Sequence, residues 1–176
     1  MVRIREFNAE HPKTGKHLEG AVFTGQGRAL LKRIGEETGS NEAVVLETIV
    51  KQLLVQKGAD WTGAILSEYL GLYEDSLGTF ALVWAKQARQ LVSHGAVFQS
   101  MTHPGAGLVA HIRTADSWQG FGLGTLVTEE VTRAAFAQGA RVVALATDDK
   151  RHRLQQGEKA AHRMYSFRRF RHSVDP

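Results

Sequence analysis

The residues of this sequence best suited to chemistry are one glycine-rich run and a few isolated acids and bases. The run is Trp118-Gln119-Gly120-Phe121-Gly122-Leu123-Gly124-Thr125. Glycines let a backbone approach an anion with no side chain in the way. Free N–H groups beside the positive end of a helix dipole suit phosphate or pyrophosphate. His94 and His111 are candidate bases, because a neutral imidazole takes up a proton near neutral pH. Glu68 and Glu74 would serve equally. Asp148 and Asp149 follow an apolar run, where ligand sites of parallel sheets tend to lie. Each also has a plainer role: a lone strand histidine is more often packed or merely exposed, and paired aspartates often cap a helix. His94, His111, His152, His162 and His172 show no metal-ligand spacing.

The elements that must position these groups can be read around the run. Before it, residues 107–114 form a strand pattern, apolar and rich in Ile, Val and Thr. After it, Leu123, Leu126, Val127, Val131, Ala134 and Ala135 recur at helical spacing, and Gly139 supplies a stop. A glycine turn therefore joins a strand to a helix N-terminus. It is not a dinucleotide fingerprint, since the sixth residue counted from Gly120 is Thr125 and from Gly122 is Val127. Nor is there a G-x-x-x-x-G-K-[ST] run for a P-loop. The pattern that fits is Q-x-x-G-x-G, with Gln119, Gly122 and Gly124.

Upstream, residues 79–84, 90–99 and 108–114 read as strands with short connections, which favours antiparallel neighbours. The continuous apolar run 141–147 predicts a central strand buried on both faces. The helix before it implies that this strand runs parallel to 108–114. Val2 to Phe7 alternates as a strand does, Ala9 to Gly20 reads as loop, and Gly20 to Phe23 as a second short strand. Gly25-Gln26-Gly27 reads as a helix entry turn, with a second phosphate loop as the alternative. Ser40 is placed to cap a helix over 41–57 ended by Gly58. A further helical segment, Trp61 to Tyr73, would show an acidic, aromatic surface made of Glu68, Tyr69, Tyr73, Glu74 and Asp75.

At 176 residues, with 43% apolar and 23% charged residues, the chain has the balance and length of one globular domain. It has no cysteine, so disulfides and thiolate metal sites are excluded. No apolar run approaches a membrane span, and the N-terminal residues lack a signal-peptide apolar region. A cytoplasmic protein without membrane contact is the expectation. The formal charge of +4 is uneven, because residues 150–176 hold eight Lys/Arg against two Asp/Glu.

Two stretches together resemble the GNAT N-acetyltransferase superfamily. Gln119, Gly122 and Gly124 match its acyl-CoA-binding motif, which has Arg or Gln at the first position. Ala161, Met164, Tyr165 and Phe170 match its A-x-x-L-Y-x-x-x-G-F helix, with Arg169 in place of the glycine and Glu158 where Asn is frequent. The resemblance covers residues 78–171. It implies an α/β fold with a mixed antiparallel and parallel sheet flanked by helices. Residues 1–77 would form the variable acceptor-side part and 78–176 the acyl-CoA-binding core of a single domain. It implies an N-acetyltransferase moving an acetyl group directly from acetyl-CoA, or another acyl-CoA, to an amine on a small molecule or peptide, with no metal. Ile112, Arg113 and Thr114 would offer backbone groups to the pantetheine arm. Gln119, Gly120, Phe121, Gly122, Leu123, Gly124 and Thr125 would hold the pyrophosphate. Tyr165 would be the general acid at the sulfur, with His111 the chosen base among the candidates. The chain stops six residues after Phe170, so the family's usual further strand would be short, distorted, supplied by a partner or missing. A homodimer in which a partner covers that edge is the expected assembly. Two alternatives stay open: a GNAT-shaped sensor or scaffold that does not catalyse, and a nucleic-acid-binding module using the basic tail with Tyr165, Phe167 and Phe170.

Overall fold

The computed structural model describes residues 1–54, 59–75 and 77–145. Six strands form one sheet in chain order: β1 (Arg3–Glu10), β2 (His17–Gln26), β3 (Gly78–Ala85), β4 (Gln90–Gln99), β5 (Ala106–Thr114) and β6 (Val142–Leu145). The first five pair antiparallel, and β5 pairs parallel with β6. The parallel pair is the one demanded by α4 (Leu123–Ala137), which lies between those strands in sequence.

Side-chain alternation divides the core into two layers. Phe80 and Leu82 of β3 face α1 (Gly27–Thr38), α2 (Glu42–Ile49) and α3 (Ala59–Glu74). Ala81, Val83 and Ala85 face α4, which answers with Leu123, Val127, Val131 and Ala135. These four α4 residues are 5% exposed or less, so the helical periodicity of the sequence marks the buried stripe. Glu130 also lies on this buried side. Its carboxylate meets Arg5 Nε at 3.1 Å and Arg133 Nη1 at 2.8 Å. A buried carboxylate needs such partners, and Arg5 thereby ties β1 to α4.

Several expectations are corrected. Residues 9–20 are not one loop: β1 and β2 form a long hairpin whose turn is only residues 11–16. The cap of α2 is Asn41, not Ser40; the Asn41 side chain accepts from the Val44 N–H at 2.9 Å. The helix over 41–57 is α2 followed by a π-helical turn, Val50–Leu54, that packs against β4 and β5. Tyr69 and Tyr73 are core residues, 5% and 1% exposed, not a surface. Among the described residues β6 is an edge strand with Val142 55% exposed, not a central one. Also among the described residues, no helix is long and apolar enough to cross a membrane.

Candidate functional site

The site is built on a defect in β5. His94 of β4 pairs with Arg113, and Ala96 pairs with Ala110. Between those pairs β4 contributes Gly95 alone, while β5 contributes His111 and Ile112. The extra residue is a β-bulge, which bends a strand and re-aims side chains. His111 takes the strain, with φ of 56°, a conformation uncommon outside glycine. Gly95 is what the opposing layer requires: a side chain there would meet Val127 and Ile112 at 2.2 and 2.5 Å. Past Val109, β5 has no β6 partner among the described residues.

Three side chains converge on the bulge. Tyr69 Oη lies 2.7 Å from His111 Nδ1. His94, wholly buried, donates from Nδ1 to the His111 carbonyl at 3.0 Å. Ser93, also wholly buried, donates from Oγ to the Arg113 carbonyl at 2.9 Å. Tyr69 stands edge-on to both imidazoles, with centroids 5.3 Å from His111 and 6.2 Å from His94. Desolvation, then the Glu68 charge, pushes the Tyr69 phenol well up, so it stays O–H. Burial on the Tyr69 side pulls His111 below the ordinary imidazole value, while Glu68 works against this. His111 is thus neutral at neutral pH although much of its surface faces solvent.

The glycine run lies just beyond β5, after a short turn at Asp116–Trp118. Gly120 and Gly122 adopt φ of 90° and 76°, which glycine alone adopts freely. Gly122 is the N-cap of α4 and offers no side chain to cap it. The first-turn amides, including those of Leu123, Gly124 and Thr125, have no intrahelical acceptor, and these are the groups from which the sequence expects an anion site. The Gln119 amide is turned to Asp116 at 3.1 Å and braces the turn instead. Phe121 packs on Trp118 and, edge-on at 5.1 Å, on His11.

His11 was not singled out from the sequence. Its Nδ1 accepts from the Lys13 and Thr14 amides at 3.3 and 3.2 Å, so in the neutral ring Nε2 carries the proton. A Cβ on Gly120 would lie 2.4 Å from that Nε2. The β1–β2 turn therefore buttresses the glycine run. Gly120→Ala should lower the melting temperature by several degrees, since the forbidden φ alone costs about 1–3 kcal/mol. An unchanged melt would show that the turn does not brace this loop.

His94 adds a pH dependence. Burial holds it down at about 4, against the opposing pull of its bond to the His111 carbonyl. Unfolded, it would titrate near ~6.5. Between these values the unfolded chain binds a proton that the folded chain excludes, so stability is present above that window and is lost as pH falls through it. His111 shifts in the same direction and adds to the effect at the upper end. Denaturant melts at pH 7 and near pH 4.5 should show this loss, and His94→Leu should flatten it. An equal slope in the variant would remove His94 as its source.

The structure thus brings His111, Ile112, Arg113 and Thr114 to one strand end and 119–125 to the helix entry that follows. Tyr165 and its helix lie outside the described residues, as do Asp148 and Asp149. Among the described residues no three His, Asp or Glu side chains come together as a metal site.

Solved structures share the architecture. An acetyltransferase assigned to the GNAT family from Desulfovibrio desulfuricans aligns over 99% of this chain and 87% of its own, with a TM-score of 0.57 and 14% identity. The fold is the GNAT fold. AAC(6')-Iy, solved with a bisubstrate analogue joining coenzyme A to an acetylneamine, aligns over 100% of this chain and 95% of its own, with a TM-score of 0.55 and 12% identity. An aminoglycoside acetyltransferase from an uncultured soil metagenomic sample aligns over 89% and 95%, with a TM-score of 0.55 and 14% identity. At these identities the likeness to GNAT enzymes is one of fold. No protein-family model and no curated protein matches the sequence.

Proposed function

We propose that this chain is a GNAT acyltransferase that moves an acetyl group from acetyl-CoA to an amine. The observation that carries the reading is the glycine-entered N-terminus of α4 lying directly beyond a bulged strand that, past Val109, has no β6 partner among the described residues. The turn would take the pyrophosphate and the backbone of 112–114 the pantetheine amides, which would bring the thioester to the level of His111. A solved neighbour of the same fold, AAC(6')-Iy, holds a coenzyme A conjugate.

Direct transfer needs an amine freed of its proton and a thiolate that regains one. In the proposed reaction the amine nitrogen attacks the thioester carbonyl, the C–S bond breaks, and coenzyme A leaves as a thiol. His111 Nε2 accepts the proton from the amine, and Nδ1–H then donates to Tyr69 Oη, which steadies the imidazolium. The Glu68 charge favours that cation as well. Tyr165 is the proposed acid at sulfur, on its place in the sequence motif. Tyr165→Phe should lower maximal turnover by roughly 10²–10⁴-fold and leave donor affinity unchanged; turnover close to wild type would move the acid elsewhere.

The reading is tested by titrating coenzyme A and acetyl-CoA calorimetrically, then following thiol release with a panel of small-molecule and peptide amines. Donor binding with thiol release on one acceptor class is expected. Tight donor binding with no release on any amine would leave a sensor or scaffold. No donor binding, with salt-dependent affinity for nucleic acid, would favour the basic tail as the functional element.

A further inference from the structure

We infer that His94 is a positioning residue: its Nδ1–H, held against the His111 carbonyl, fixes the β5 bulge and so sets the direction of the His111 ring. The inference rests on the proposed role of His111 for its catalytic consequence, but its geometry stands without it. A carbonyl only accepts, so Nδ1 must carry the proton of the neutral ring. Nε2 is then a bare lone pair, fully buried and without a hydrogen-bond partner among the described residues. A buried acceptor left unpaired is unfavourable. Yet the ring packs among Tyr69 and Phe80, centroids 6.2 and 6.1 Å away, where a leucine would be at home. What the imidazole provides that leucine cannot is the single donor to the bulge.

That donor acts where the backbone has least reason to stay. His111 is not glycine, and its φ of 56° must be imposed from outside. Two wholly buried side chains impose it by holding carbonyls on either side of Ile112: His94 holds that of His111, and Ser93 holds that of Arg113. The Ser93 hydroxyl also meets Thr114 Oγ1 at 2.8 Å. The His111 ring faces Tyr69, bonded to Nδ1, the Phe98 ring, edge-on at 6.0 Å, and the Glu68 charge. Released from His94, the bulge would relax toward ordinary strand geometry. The ring would then turn away from Tyr69.

The experiment compares His94→Asn, His94→Gln and His94→Leu with wild type. Asn places an N–H near the position of Nδ1, whereas Gln places it near Nε2, beyond the carbonyl. The first readout is the titration of His111 by nitrogen-detected NMR. In wild type and His94→Asn it should lie below the ordinary value of ~6.5, and in His94→Gln and His94→Leu it should move up toward that value. The second readout is turnover at saturating donor and acceptor. It should fall roughly 10²-fold in Gln and Leu, the usual consequence of misplacing a reacting group by about 1 Å. Asn should restore most of it. Should Leu fail to fold, the contrast of Asn with Gln decides. Equal behaviour of Asn and Gln in both readouts would overturn the inference and leave His94 a packing residue. Should wild type transfer no acyl group, the NMR contrast still decides the role of His94, and only the enzymatic reading fails.

Discussion

Gly122→Asp should leave the protein folded and without measurable affinity for coenzyme A. Among the described residues beyond its chain neighbours, no atom lies within 4 Å of the place a Cβ would take at Gly122, so the new side chain meets open space there. Its left-handed φ of 76° is one that aspartate tolerates better than most residues. The carboxylate would stand at the N-terminus of α4, where negative charge is favourable to the helix. The same charge would occupy the position proposed for the pyrophosphate and compete for its amides. Folding is thus maintained while binding is lost, a combination that separates an anion site from a structural turn. Calorimetric titration beside a thermal melt measures both. A folded Gly122→Asp protein that binds coenzyme A as wild type does would refute the assignment of residues 119–125.

His111→Asn should lower maximal acyl transfer by roughly 10²–10⁴-fold, the usual contribution of a positioned base. Asparagine is chosen because it accepts positive φ more readily than other residues, so the bulge keeps its geometry. Wild-type kcat/KM should fall on acidification through a value below the ordinary imidazole pKa of ~6.5, since burial favours the neutral ring. That acid limb should be missing from the variant. Turnover within about threefold of wild type, well short of the effect of a general base, would give the role to Glu68 or to water.

The glycine run, the helix after it and the three strands before it were legible because each is a local signal. Alternation, helical spacing and turn glycines are written in neighbouring residues. The β1–β2 hairpin was hidden because β1 is an edge strand with a wet face, and Asn8, Glu10 and Glu19 look like loop when counted singly. Tyr69 and Tyr73 stood beside Glu68 and Glu74 in sequence and were read with them as surface. On the folded helix they turn inward, and Tyr73 stacks on Phe80 at 4.0 Å. The run 141–147 is apolar enough for a central strand, but apolarity does not say which side of a sheet a strand takes. The bulge could not be read at all. Register is a property of two strands together, and nothing in Ala110-His111-Ile112 announces that Gly95 alone will stand opposite two residues. His94 and His111 were both noticed as possible bases. Only the fold shows that one holds the backbone of the other.

The outermost strand β1 has a consequence for association. Among the described residues it pairs on one side only, and such unpaired rows invite a second chain. Along β1 the sequence places Arg3, Arg5, Glu6 and Glu10. Two of these charges are tethered, Arg5 to Glu130 and Glu6 to Lys86 at 2.6 Å. An incoming strand would have to settle beside fixed charges of both signs, matching each with a partner or stripping it of water. The N-terminal margin is thus protected against aggregation by strand addition, and copies of this chain that joined sheet to sheet would have to do so elsewhere.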